Sequence, residues 1–113
     1  LVVELLLDTT AQMPESYTLF LHALDIDGER IGQRDSPTGS GLYPTDAWQP
    51  GQPFEDVYHV PMDVAGARRP HSVALGFYDV QTGERLPAYS PDGNRLPEDR
   101  LVLEVQTGAA NPP

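Results

Sequence analysis

The stretch Tyr17-Thr18-Leu19-Phe20-Leu21-His22-Ala23-Leu24 decides the fold class of this chain. It lies within thirteen residues, Glu15 to Asp27, that contain neither proline nor glycine, a span as long as any such in the sequence. If the chain held a helix of useful length, it would sit here. Its residues argue for a strand instead, because Tyr, Thr and Phe favour extended backbone and the side chains can alternate between two faces. Elsewhere, twelve prolines and ten glycines recur at short intervals. They leave little room for a helix longer than about two turns.

Working outward from this stretch, strand candidates recur near residues 1–7, 16–25, 30–35, 54–62, 72–80, 85–90 and 100–106. That spacing is typical of a sandwich or barrel. The expected fold is all-β: an antiparallel β-sandwich of jelly-roll or Ig-like type, with about seven to eight strands and no long helix. One domain spans 1–106, and 107–113, with no apolar anchor beyond alanine, reads as a flexible C-terminal tail. Alternation assigns core faces to Leu1, Val3, Leu5 and Leu7, to Val73, Leu75 and Phe77, and to Leu101, Leu103 and Val105. The opening Leu1-Val2-Val3-Glu4-Leu5-Leu6-Leu7 lacks an initiator Met and a basic flank, so it reads as a strand of a longer parent and not as a signal peptide.

Three segments share one turn chemistry: Asp25-Ile26-Asp27-Gly28-Glu29-Arg30, Asp79-Val80-Gln81-Thr82-Gly83-Glu84-Arg85 and Ser90-Pro91-Asp92-Gly93-Asn94-Arg95. Each places Gly where a tight turn needs positive φ, with Arg shortly after, and each predicts a hairpin connection. Their unequal intervals argue against an internal duplication.

Composition excludes several functions. With 39% apolar and 21% charged residues and no long apolar run, the chain fits a folded domain that does not span a membrane by helices. Formal charge is −10, all seven basic residues are Arg, and only Arg68 and Arg69 are adjacent. Nucleic acid is excluded as a partner, because phosphate binding draws on clustered cations that release counterions. The acid excess reads as a solvated, self-repelling surface. Without cysteine there are no disulfides, thiolate metal sites or thiol nucleophiles.

No catalytic constellation emerges. His22, His59 and His71 lack metal-helix spacing, and His22, two residues after Phe20, reads as a structural histidine. Gly39-Ser40-Gly41 has neither the spacing nor the strand-to-helix elbow of a hydrolase nucleophile, and a Walker loop would need a Lys. The pairs Asp25 with Asp27 and Asp35 with Asp46 are better explained by turns and acidity than by glycosidase chemistry. No cofactor is expected. A structural Ca²⁺ built from separate loops is left open by composition, without a motif to support it.

The irregular stretch from Ser36 to Pro53 is too long for an ordinary connection, and such loops are either functional or tightly self-packed. It carries Tyr43 and the single tryptophan, Trp48. Two readings compete: the pair forms a sugar-stacking platform, or Trp48 plugs the open end of the sandwich and anchors the loop, the reading that burial tendencies favour.

Taken in order, Tyr17 to Leu24 with Asp27-Gly28, Gln33-Arg34-Asp35-Ser36-Pro37, Tyr43-Pro44-Thr45 with Trp48 and Pro50-Gly51, Asp56-Val57-Tyr58, Gly76-Phe77-Tyr78-Asp79, Thr82-Gly83 and Arg85-Leu86 carry a resemblance. The chain resembles the β-sandwich domain that follows the membrane-spanning part of certain bacterial glycosyltransferases similar to the dolichyl-phosphate-mannose protein mannosyltransferase family. The resemblance runs from about Leu1 to Val105 and departs at Arg69-Pro70-His71-Ser72, where that family tends to have Pro-Gly-x-Tyr. It implies a non-catalytic, extracytoplasmic appendage tethered to the cell membrane through its parent chain. Its partner would be the membrane-spanning part of that chain, with carbohydrate as a candidate ligand. The resemblance brings no catalytic residue with it, because the family's acidic motif lies in a segment absent here. The matching Asp35, Tyr43, Trp48, Tyr58, Tyr78, Asp79 and Arg85 serve equally as fold determinants or binding groups. Tyr43, Trp48, Asp35 and Tyr58 form the candidate ligand-binding set.

Overall fold

The structure, a computed structural model, describes residues 1–63 and 69–106. The expected tail over 107–113 and Arg68 of the Arg68-Arg69 pair lie outside the described residues. Six strands form: β1 Val2–Leu7, β2 Thr18–Leu24, β3 Arg30–Pro37, β4 Phe54–His59, β5 Ser72–Tyr78 and β6 Leu101–Glu104. They build two antiparallel sheets, a two-stranded β1-β4 and a four-stranded β3-β2-β5-β6. Helical structure among the described residues is limited to short 3-10 turns at Thr38–Gly41, Thr45–Ala47 and Pro97–Asp99. No helix of the described residues is long and apolar enough to cross a membrane.

β2 is the centre of the larger sheet and is covered on both sides. Leu19, Leu21 and Ala23 face the β1-β4 sheet, joining Val3, Ile31, Tyr58, Val60, Val73 and Leu75 in one buried cluster. Leu1, Leu5, Met62, Phe77 and Val105 pack against its margin. Each large apolar side chain sealed there contributes roughly 1.5–3 kcal/mol relative to exposure. The alternate residues of β2, Phe20 and Leu24, are also buried, on the outer face of the sheet. Double coverage explains why β2 reads as a nearly continuous apolar run instead of a strict alternation.

The outer cover is the excursion between β5 and β6. It leaves Tyr78 by a hairpin in which the Asp79 N–H donates to the Glu84 carbonyl at 2.9 Å. Gly83 supplies the left-handed backbone there, at φ +76°. Gly28 and Gly93 hold the corresponding place in the other two turns expected from the sequence. A second bend, bridged by Tyr89 and Arg95, returns the chain over the sheet. A two-pronged Arg95–Asp99 pair fastens it, at 2.8 and 2.9 Å. This guanidinium holds the Asp99 carboxyl down at about 2.

Two expectations need correction. The stretch near 85–90 forms isolated bridges in place of a strand, Tyr78 with Arg85 and Tyr89 with Arg95, so six strands stand among the described residues where seven or eight were expected. Prolines at 87 and 91 explain this, since each removes a ladder donor. Leu101 and Leu103 are 39% and 40% exposed and do not belong to the core. β6 is an edge strand bonded only to β5, and all four of its residues are exposed.

The two sheets meet along one margin. Beyond β4 the chain crosses to β3, where Met62 bridges to Gly32 and the Asp63 N–H donates to the Ile31 carbonyl at 2.7 Å. The opposite margin, between β1 and β6, is an open groove of about 430 Å³.

The close seating of the outer cover makes a test. A Cβ added to Gly76 would lie 2.8 Å from the Phe20 ring and 2.9 Å from the Asp99 carbonyl oxygen. Gly76→Ala is expected to destabilise the fold by roughly 1–3 kcal/mol through overpacking. The effect would be read as a lower urea midpoint at unchanged slope. An unchanged midpoint would show that the excursion does not sit on Phe20.

Candidate functional site

The candidate residues separate into two places. Trp48 is 3% exposed, so the Ser36–Pro53 loop is the plug of the two alternatives. Its indole N–H points at both the Thr38 hydroxyl and the Tyr43 carbonyl, each at 3.2 Å, and its ring meets Phe54 and Phe77 edge-on at 5.0 and 6.1 Å. Thr45, also buried, ties the loop to the approach of β2: its hydroxyl donates to the Glu15 carbonyl at 2.7 Å and accepts from the Tyr17 N–H at 2.9 Å. Tyr43 is half-buried and stands edge-on to Phe54 at 4.7 Å. Tyr58, 1% exposed, belongs to the core beneath the Arg34 guanidinium. Burial, then the neighbouring Asp56 carboxylate, holds its pKa well above that of an ordinary phenol. A sugar cannot stack on a ring that presents no face to solvent, so Trp48 and Tyr58 are fold determinants.

Asp35 lies elsewhere, in a cleft of about 230 Å³ on the outer face of the larger sheet. Strand register assembles this cleft. Phe20 and His22 rise from one face of β2, opposite Asp35 and Gln33 of β3. Gly76 of β5 stands across from Phe20, and Tyr78 lies two residues further along the same face. Arg30 closes one end of the cleft lining where β3 begins, and Arg85 enters from the hairpin after β5. With no side chain at Gly76, Phe20 forms a sealed floor, and the Arg85 guanidinium lies over its ring at 4.4 Å.

The polar groups are partly committed to each other. The Tyr78 hydroxyl donates to Asp35 Oδ2 at 2.9 Å, and Gln33 Nε2 donates to Asp35 Oδ1 at 3.3 Å. Arg85 Nη1 donates to the Glu98 carbonyl at 2.9 Å. Among the described residues no hydrogen bond or ion pair engages the Arg30 guanidinium. Burial lowers the His22 pKa, and Arg30, Arg85 and Arg100 lower it further against the opposing pull of Asp35. Burial and then the hydrogen bond to Asp35 raise that of Tyr78.

This arrangement suits recognition. The lining offers guanidinium and amide donors, one carboxylate acceptor and an imidazole whose pKa burial lowers, and its only hydroxyl is the Tyr78 phenol. Among the described residues no three His, Asp or Glu side chains converge as a metal site would require. The sequence names Asp35 as a ligand candidate, leaves Tyr78 and Arg85 open between fold and binding, reads His22 as structural and does not single out Arg30 or Gln33. The shared parity of Phe20 and His22, and of Gln33 and Asp35, was a usable signal. Their alignment across two strands was not, because register is a tertiary property.

Two measurements follow. Trp48 emission should be that of a buried indole, shielded from iodide; quenching as ready as that of free tryptophan would refute the plug. By NMR, His22 should titrate below the ordinary imidazole value of 6.5. Arg30→Gln should move that midpoint up and Asp35→Asn should move it down. A depressed imidazole pKa means the unfolded chain binds more protons just below pH 6.5, so His22 favours folding above that pH and its contribution is lost on acidification.

Comparison with protein-family models gives no match, and comparison with curated proteins and with solved structures gives no significant match.

Proposed function

We propose that this chain is a non-catalytic β-sandwich domain, Ig-like or jelly-roll in type, that serves as the extracytoplasmic accessory domain of a membrane-bound glycosyltransferase-like parent. It positions a glycan or acceptor group beside the membrane-spanning part of that parent. The observation that carries the recognition role is the outer-face cleft, where donors from β2, β3 and the hairpin after β5 converge around Asp35. The sequence resemblance supports the parent and its location. Burial of Trp48 removes the aromatic platform on which an autonomous carbohydrate-binding module would have relied.

A second reading, a structural interaction domain, rests on a different surface. The outer face of β1-β4 leaves Val2, Leu6 and Val57 exposed, Leu6 by 70%, between Glu4 and Glu55. Such a face suits contact with another protein surface.

A panel of mono- and disaccharides tests the first reading. A sugar that binds the cleft raises the melting temperature by mass action and moves the His22 ring resonances. A panel that moves neither would remove the glycan-positioning role. A parent gene that encodes no transmembrane helices before Leu1 would remove the membrane-enzyme assignment.

A further inference from the structure

We propose that the outer-face cleft takes a ligand bearing a single carboxylate, with Arg30 and Arg85 as its charge partners and Asp35 accepting from a hydroxyl of the same ligand. The inference rests on the reading of this cleft as a recognition site, and it names the chemistry recognised.

The distribution of positive charge comes first. The chain has seven Arg, no Lys and a formal charge of −10, yet Arg30 and Arg85 line one small cleft. Arg100, outside the lining and paired with Glu98 at 2.9 Å, adds a weaker positive influence on His22. On a surface that otherwise repels anions, this is where one would be held.

Donor capacity comes second. A guanidinium carries five N–H donors. Arg30 has none engaged among the described residues, and Arg85 spends one nitrogen on a neutral backbone carbonyl. Neither guanidinium forms an ion pair among the described residues, and each is matched in shape and charge to a planar carboxylate, which accepts two parallel hydrogen bonds.

Charge balance then sets the ligand's valence. Among the residues that line the cleft, Asp35 offsets one of the two guanidiniums and the lowered pKa of His22 favours its neutral form, so the lining carries a single excess positive charge. A monoanion neutralises it, whereas a phosphate dianion would leave excess negative charge beside Asp35. Asp35 is held in place by Tyr78 and Gln33 and retains lone pairs for a hydroxyl donor. Carboxylate and hydroxyl together describe a sugar acid or a simple hydroxy acid.

The test is calorimetric titration of the 113-residue chain with D-glucuronate, D-glucose, lactate and inorganic phosphate, with the His22 ring followed by NMR. D-glucuronate is expected to bind about tenfold or more tighter than D-glucose, as a charge-assisted pair would give. It should shift His22 and weaken as salt is raised. Arg30→Gln should weaken it by about tenfold without lowering the melting temperature, since no hydrogen bond or ion pair engages that guanidinium among the described residues. Arg85→Gln should weaken it as well, and because Arg85 also covers Phe20, Arg30→Gln is the deciding variant. Equal binding of D-glucose would overturn the carboxylate inference while leaving glycan positioning intact. Lactate binding as tightly as D-glucuronate would uphold the carboxylate and overturn the glycan reading. Preference for phosphate, an unaffected Arg30→Gln, or no binding of any probe would overturn the inference.

Discussion

The structure depends on β2 being buried on both faces. One face, Leu19, Leu21 and Ala23, seals against the small β1-β4 sheet, and the other, led by Phe20, seals beneath the chain between β5 and β6. A two-stranded sheet has little independent stability in water, so β1 and β4 persist because β2 and β5 offer them an apolar surface. The outer excursion, in turn, has few ladder bonds of its own and holds its place through Phe20, Gly76 and the Arg95–Asp99 fork. Removing β2 from this account leaves both layers without a partner.

Two irregular segments cover the strands, and they do opposite things. The Ser36–Pro53 loop turns Trp48, Thr38 and Thr45 inward and leaves Leu42 exposed. Trp48, Thr38 and Thr45 satisfy their polar atoms on backbone carbonyls and amides, so the loop closes one end of the fold and offers little to a ligand. The segment after β5 turns polar groups toward a gap it leaves uncovered beside β3. There Arg85 does two jobs, its guanidinium lying on Phe20 while one nitrogen bonds the Glu98 carbonyl. One side chain thus belongs both to the packing on Phe20 and to the cleft lining, which ties the shape of the cleft to the outer cover.

Electrostatics sharpens this contrast. A strongly acidic surface keeps the chain apart from other anions, and screening confines that repulsion to about 10 Å at ordinary salt. Within such a field, a cleft with two guanidiniums and one carboxylate stands out more than it would on a neutral protein. Burial, and then the same arginines, lower the His22 pKa, so the imidazole and the cleft's guanidiniums are electrostatically coupled.

Some of this was legible in the residues themselves. The run from Tyr17 to Leu24, the frequent prolines and glycines and the three Gly-centred turns specify an all-β chain, because strand propensity and turn chemistry are local. Alternation placed Val3, Val73 and Leu75 correctly and misplaced Leu101 and Leu103, since parity gives the face of a strand but not whether anything covers it. Aromatic composition pointed to Tyr43 and Trp48, and the resemblance to Tyr58, all of which the fold uses for packing; His22 read as structural, and Arg30 and Gln33 were not singled out. The cleft joins residues of β2, β3 and β5 with a hairpin that crosses back over them. Which residues stand opposite one another is set by register and crossover, and those are decided only when the apolar faces find each other in three dimensions.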